Sequence, residues 1–270
     1  MKLFIGLLLI VSGIGAFWGL RQRPDSSQMN DQTSMTPGAK PGPVIVELFT
    51  SEGCSSCPPA DVLLSKLDQQ PIDGIEIIGL SEHVDYWDDL GWRDPFSSAD
   101  FSKRQSVYAK SSGVYTPQMI VDGGEQFVGS DEKRARAAII NAATKAKGKV
   151  EVTTPSVNAE KQVVRLSIHV SDLPPVNDDD IAEVLLAVTE SNLSSEVPRG
   201  ENAGRSLKHT AVVRHLETVG EVDPRTRNFT ADKTLPLTSA WQRNNLRIVV
   251  FVQERRTRRV LGAREVKLAD

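Results

Sequence analysis

Cys54 and Cys57 are the two cysteines of a 270-residue chain, with Ser55 and Ser56 between them. Thiols at this spacing can close a disulfide, or act as an attacking and a resolving sulfur. A framework of several disulfides is excluded, and so is a four-cysteine zinc site within one chain. Pro58-Pro59 follows and favours a helix start. Leu63, Leu64 and Leu67 continue at helical spacing. The β-branched run from Pro43 to Thr50 predicts a buried strand just before the pair. Amide dipoles at such a helix start favour a thiolate and lower the thiol below its free value of about 8.5. On this reading Cys54 is the exposed nucleophile and Cys57 the resolving thiol. A purely structural bridge and a metal-binding pair are the other readings. The bridge would close a tiny loop and restrict the unfolded chain little.

His83 follows the second predicted strand, Ile75 to Leu80, with Asp85, Asp88, Asp89 and Asp94 nearby in sequence. Three roles fit it. His83 or a neighbouring carboxylate such as Asp85 can carry a proton for Cys57. Alternatively Cys54, Cys57 and His83 form a copper or zinc site, with Asp85 as an oxygen ligand. The third is a hydrogen-bonded loop histidine beside a solvated acidic stretch. Trp87 and Trp92 read as packing anchors of a long connection, or as an aromatic wall facing substrate. No glycine-rich phosphate loop or paired-histidine zinc motif is present, and no organic cofactor is expected.

The elements around these residues form two patterns. Residues 43–148 alternate strands and helices, with a helix around Phe101 to Lys110 and a strand at Gln118 to Val121. Asp122-Gly123-Gly124 is a turn into a returning strand. Asp131 is the N-cap of a helix through Lys147. Residues 149–270 read as strands at Lys149 to Thr153, Val163 to Val170, Ala182 to Thr189 and Arg247 to Val252. The expectation is an α/β domain over 43–148, then a mostly antiparallel, sandwich-like β domain over 149–270. Gly200 to His209 is a polar, glycine-punctuated loop, read as a surface loop or as a lip over the dithiol. Arg255-Arg-Thr-Arg-Arg259 reads as an exposed hairpin turn.

Ahead of all this, Met1-Lys2 and the uncharged run Leu3 to Leu20 have the layout of a signal peptide or N-terminal membrane anchor. Residues 21–42 are a polar linker. An exported protein, periplasmic or secreted, is expected, touching a membrane only through residues 3–20 if the segment is retained. The net charge of −3 argues against a general nucleic-acid binder.

Cys-x-x-Cys between a strand and a helix, with Tyr115-Thr116-Pro117 before a later strand, resembles the thioredoxin superfamily. The resemblance implies a thioredoxin-like fold for 43–148 and a cis Thr116-Pro117 bond facing the dithiol. The Thr116 backbone would then hold an extended substrate beside Cys54, near Tyr115. The chain departs from that pattern in having Gly53 before Cys54 and a Ser-Ser gap. A closer match lies in ELFTSEGCSSC from Glu47 to Cys57, HVDYWDDLGWRDPF from His83 to Phe96, Arg104-Gln105, Tyr108 and YTPQM from Tyr115. These resemble the secreted thioredoxin-like family known as domain of unknown function 1223, over residues 43–270. The function expected is thiol-disulfide exchange on a thiol or disulfide protein, or a small thiol, with a separate redox partner. The alternative is a copper- or zinc-binding or partner-binding protein on the same scaffold.

Overall fold

A computed structural model of the chain describes residues 41–70, 72–109, 113–153, 156–158, 162–177 and 179–268. The expected export segment falls outside these residues, as does the linker up to residue 40. The first elements are β1 (Val44–Thr50), α1 (Pro58–Gln69), β2 (Ile77–His83), α2 (Ala99–Ala109), β3 (Gln118–Val121), β4 (Glu125–Val128) and α3 (Glu132–Ala143). Ten strands follow: β5 (Lys149–Val152), β6 (Ser156–Asn158), β7 (Val163–Ser171), β8 (Ala182–Glu190), β9 (Leu193–Val197), β10 (Arg205–His209), β11 (Val212–Glu221), β12 (Phe229–Pro236), β13 (Leu246–Glu254) and β14 (Val260–Lys267). Among the described residues no helix is long and apolar enough to cross a membrane.

Local chemistry accounts for several of these elements. α1 starts with prolines in its first turn and buries Ala60, Leu63, Leu64 and Leu67. Asp131 caps α3, its side chain accepting the Arg134 N–H at 3.0 Å. β1 and β2 are buried along their whole length, as parallel inner strands covered on both faces should be. The Arg255–Arg259 segment is the turn between β13 and β14, as its place between apolar stretches suggested.

The expectation of a thioredoxin-like α/β domain followed by a sandwich-like β domain is overturned. Strands dominate, with three α-helices among the described residues. The largest sheet has eight strands in the order β14-β13-β8-β11-β2-β1-β3-β4, drawn from both sides of residue 148. The join is at β2 and β11: Val212 lies beside Ser81, and the Ser81 N–H donates to the Ala211 carbonyl at 2.8 Å. The reason is edge chemistry. Without β11, β2 would present unpaired backbone groups beside an apolar face. That face is shared too: Ile45, Ile78 and Leu80 pack in one cluster with Leu185, Ala187, Val213, Val249 and Phe251. Each Ile, Leu, Val or Phe among them contributes about 1.5–3 kcal/mol on burial, which binds the two halves strongly. A four-stranded sheet, β12-β7-β5 with β6 beside β7, completes the core at the far end.

The β3–β4 turn shows how tightly the halves meet. Gly123 has φ +68°, and a Cβ there would come within 1.7 Å of the Arg258 carbonyl oxygen. Only glycine accepts both that backbone conformation and that approach. Lys147 reinforces the seam, donating to Asp122 Oδ2 at 2.6 Å and to the Val260 carbonyl at 2.9 Å.

Candidate functional site, a covered disulfide

Strand β1 delivers the chain to Ser51-Glu52-Gly53, and Cys54 and Cys57 are joined in a disulfide with Cα atoms 5.4 Å apart. Cys57 is the N-cap residue of α1, its carbonyl accepting from the Ala60 N–H at 2.8 Å and the Asp61 N–H at 3.1 Å. Pro58 and Pro59 have no N–H to leave unsatisfied in that first turn. Ser56 Oγ lies 3.3 Å from Cys54 Sγ and can donate to it.

The exposure expected at Cys54 is not found: both cysteines are 0% exposed, while Ser55 and Ser56 between them face solvent. Residues far along the chain close the site. Asn202 Nδ2 donates to the carbonyls of Glu52 at 2.8 Å and Cys54 at 3.0 Å. The Ser55 N–H donates to Glu201 Oε2 at 3.0 Å. Residues 200–204 thus lie against the chain on either side of Cys54, whereas residues 205–209 of the expected loop form strand β10.

On the other flank the Thr116-Pro117 peptide bond is cis. Trp87 Nε1 donates to Thr116 Oγ1 at 2.9 Å, and the Trp87 ring packs against Phe49, Val84, Tyr108 and Ile120. Its Cβ lies 3.0 Å from where a Cβ on Gly53 would be, which accounts for glycine before Cys54. Tyr115 is half-buried, its carbonyl accepting from Gln105 Nε2 at 2.7 Å. Trp92 Nε1 donates to Glu52 Oε2 at 2.7 Å. Both tryptophans thus anchor the connection. Trp87→Phe is expected to lose about 1 kcal/mol, one net hydrogen bond, in urea unfolding. An unchanged midpoint would show that the ring alone anchors the loop.

His83 does not meet Asp85. Asp85 accepts from Ser102 Oγ instead, tying the loop to α2. His83 Nδ1 pairs with Asp94 Oδ2 at 2.7 Å, both groups fully buried. Burial opposes a charged imidazole here, but the carboxyls of Asp94, Asp61 and Glu52 together raise His83 above its ordinary value. Asp94 in turn is held below the usual carboxylate range: burial pushes it up, while His83 and the N–H groups of Glu52 and Phe96 pull it further down. Among the described residues no three His, Cys, Asp or Glu side chains converge so as to hold a metal ion. The grouping of Cys54, Cys57, His83 and Asp85 as ligands therefore has no geometric support.

Three residues not singled out from the sequence belong to this site. Glu52 joins Trp92 to His209, whose Nε2 lies 2.9 Å from Glu52 Oε1. Asn202 supplies the cover. Asp61 stands one helical turn after Cys57, a spacing that could have flagged it. Burial raises Asp61 to about 6, although His83, His209 and Thr50 pull it down.

The profile of the family described as Protein of unknown function (DUF1223) matches residues 45–253, and the chain belongs to that family. A crystal structure of protein AGR_C_4864 from Agrobacterium tumefaciens is similar, with 27% identity, a TM-score of 0.61, and coverage of 86% of this chain and 97% of that one. HBP35 of Porphyromonas gingivalis shares the fold at 16% identity and a TM-score of 0.64, covering 86% of this chain and 76% of that one. No curated protein matches the chain.

Proposed function

We propose that this protein is an exported thiol-disulfide oxidoreductase that works through Cys54 and Cys57. The observation that carries the reading is the disulfide itself, set between the end of β1 and the first turn of α1. In the reduced protein the Cys54 thiolate attacks a substrate disulfide and forms a mixed disulfide, and Cys57 then displaces the substrate thiol. The Ser56 hydroxyl beside Cys54 Sγ stabilises the thiolate by donating to it. Thr116 and Pro117, fixed by Trp87, form the flank against which an extended substrate lies. The apolar run at Leu3 to Leu20 supports an oxidising compartment, where such a pair persists.

The complete burial of both sulfurs favours a second reading, a structural bridge in a partner-binding protein. One experiment separates the two. Cys57→Ala, incubated with an extract of the export compartment, is expected to give discrete adducts on non-reducing gels that vanish with reductant. Cys54→Ala should give none of these adducts. A Cys57→Ala protein that is folded yet forms no adduct overturns the exchange reading and favours the structural bridge.

A further inference from the structure

Strands β2 and β11 run parallel but pair at one position, Ser81 with Val212. Beyond it they fork. β11 shifts register between Val213 and His215, and such an irregularity bends a strand and re-aims its side chains. On the β2 side Ser98 takes the neighbouring place: its N–H donates to the His83 carbonyl at 3.0 Å, and it bridges to Val84. A cavity of about 400 Å³ opens between residues 95–101 and 213–216, with Trp241 as a further wall. Open sheets with parallel strands hold ligands at such places, where neighbouring strands part beyond a carboxyl end.

The walls are apolar and held in position. Phe96, Phe101, Val213, Leu216 and Trp241 line the cavity. The Phe96 ring is set edge to face against His83 and His209, each with its centroid 5.4 Å away. Among these walls stands an arginine with donors to spare. The Arg214 Cζ lies 5.2 Å from the Phe96 ring centroid and 5.8 Å from that of Trp241, within cation–π range. Its Nε is 3.5 Å from Glu190 Oε2, too long for a good hydrogen bond. Nη1 and Nη2 have no hydrogen-bond partner among the described residues. The other polar side chains of the lining are engaged. Ser97 Oγ donates to Asp88 Oδ2 at 2.7 Å, Ser98 Oγ accepts from the Asp100 N–H at 3.2 Å, and His215 pairs with Glu217 at 3.4 Å.

We propose that this cavity binds an organic monoanion, a single carboxylate carried on a flat apolar body, with Arg214 as its anchor. The two terminal nitrogens of a guanidinium match the two oxygens of one carboxylate. Phe96 and Trp241 offer ring surface to a planar body, and Val213 and Leu216 extend the apolar enclosure. Asp100 also lines the cavity, and Glu190 lies beside Arg214. Those carboxyls disfavour a ligand with further negative charge, which selects against phosphates and dicarboxylates. The assignment does not depend on thiol exchange at Cys54 and Cys57.

The test is titration of the full-length chain with 3-phenylpropanoate, followed by calorimetry and by the Trp241 indole N–H resonance, which Trp241→Phe identifies by its loss. The acid should saturate one site with a Kd of about 1 mM or below and should move that resonance. 3-Phenylpropanol lacks the charge, and acetate and inorganic phosphate lack the apolar body; each should bind at least about tenfold more weakly. Arg214→Met should lose about tenfold or more, and Arg214→Lys, which keeps the charge without the fork, should fall between it and the wild type. Melting curves check that the variants are folded. If Arg214→Met does not fold, the comparison of acid with alcohol and the Trp241 shift decide on the wild type alone. No saturation below about 20 mM, an alcohol or phosphate that binds as tightly as the acid, or saturation that leaves the Trp241 resonance unmoved would overturn the proposal. Undiminished binding by folded Arg214→Met would do the same.

Discussion

Replacing Arg104 with methionine is expected to destabilise the fold by about 3–5 kcal/mol, the cost of leaving a buried charge without its partner. Arg104 is buried in α2, with Nε 2.7 Å from Glu47 Oε2 and Nη2 within 3.1 Å of both Tyr108 Oη and Gln253 Oε1. Tyr108 donates to the other Glu47 oxygen at 2.6 Å. Glu82 lies 3.4 Å from Arg104 Nε. Burial pushes Glu82 well above the carboxylate range, against the pull of Arg104 and with help from Glu47. One guanidinium thus serves two buried carboxyls, those of Glu47 and Glu82. Methionine keeps much of the volume but removes the guanidinium from between Glu47 and Glu82, leaving Glu47 the Tyr108 hydroxyl and the neighbouring Glu82 carboxyl. Urea unfolding at pH 7 measures the loss. Arg104→Met with Glu47→Gln should recover a substantial part of it, because the stranded charge is then gone. A loss under about 1 kcal/mol in the single variant would mean that Glu47 finds another partner or is neutral.

Asn202→Ala is expected to speed reduction of the disulfide by dithiothreitol roughly thirtyfold. The Asn202 side chain is the donor for two buried carbonyls, those of Glu52 and Cys54, and it is 1% exposed. Losing two hydrogen bonds at about 1 kcal/mol each shifts the closed-to-open balance of the cover by about 2 kcal/mol. Reduction that depends on opening then accelerates by the corresponding factor. Glu201→Ala should change the rate less than threefold, since that carboxylate meets the Ser55 N–H in full contact with solvent. The rate is read from thiol appearance, alongside a melting curve. An unchanged rate would show that dithiothreitol reaches the sulfurs without displacing residue 202.

The local features of the site were legible. Cys54-Ser-Ser-Cys57 before Pro58-Pro59, the helical leucines behind it, the Asp131 cap and the 255–259 turn are all written in a few adjacent residues. Capping, proline geometry and helical spacing act over that same range. The cis bond at Pro117 followed from family resemblance. The tie between His83 and Asp94 lay within reach, since both sit in one acidic connection, yet Asp85 was the nearer candidate. The Trp87 contact with Thr116 spans 29 positions, helix α2 included, and agrees with the anchor reading.

By itself the sequence determined a dithiol at a strand-to-helix junction, the type of most elements, and the family. The tertiary structure alone decided that the sheet passes without a break from β1 and β2 into the second half, and that Cys54 is covered rather than open. It also decided that Glu52 and His209, 157 positions apart, share a hydrogen bond behind the disulfide. The physical reason is the same in each case. Which strand closes the β2 edge, and which side chain satisfies a buried carbonyl or imidazole, depends on what the completed core brings within about 3 Å. No spacing along the chain encodes that meeting.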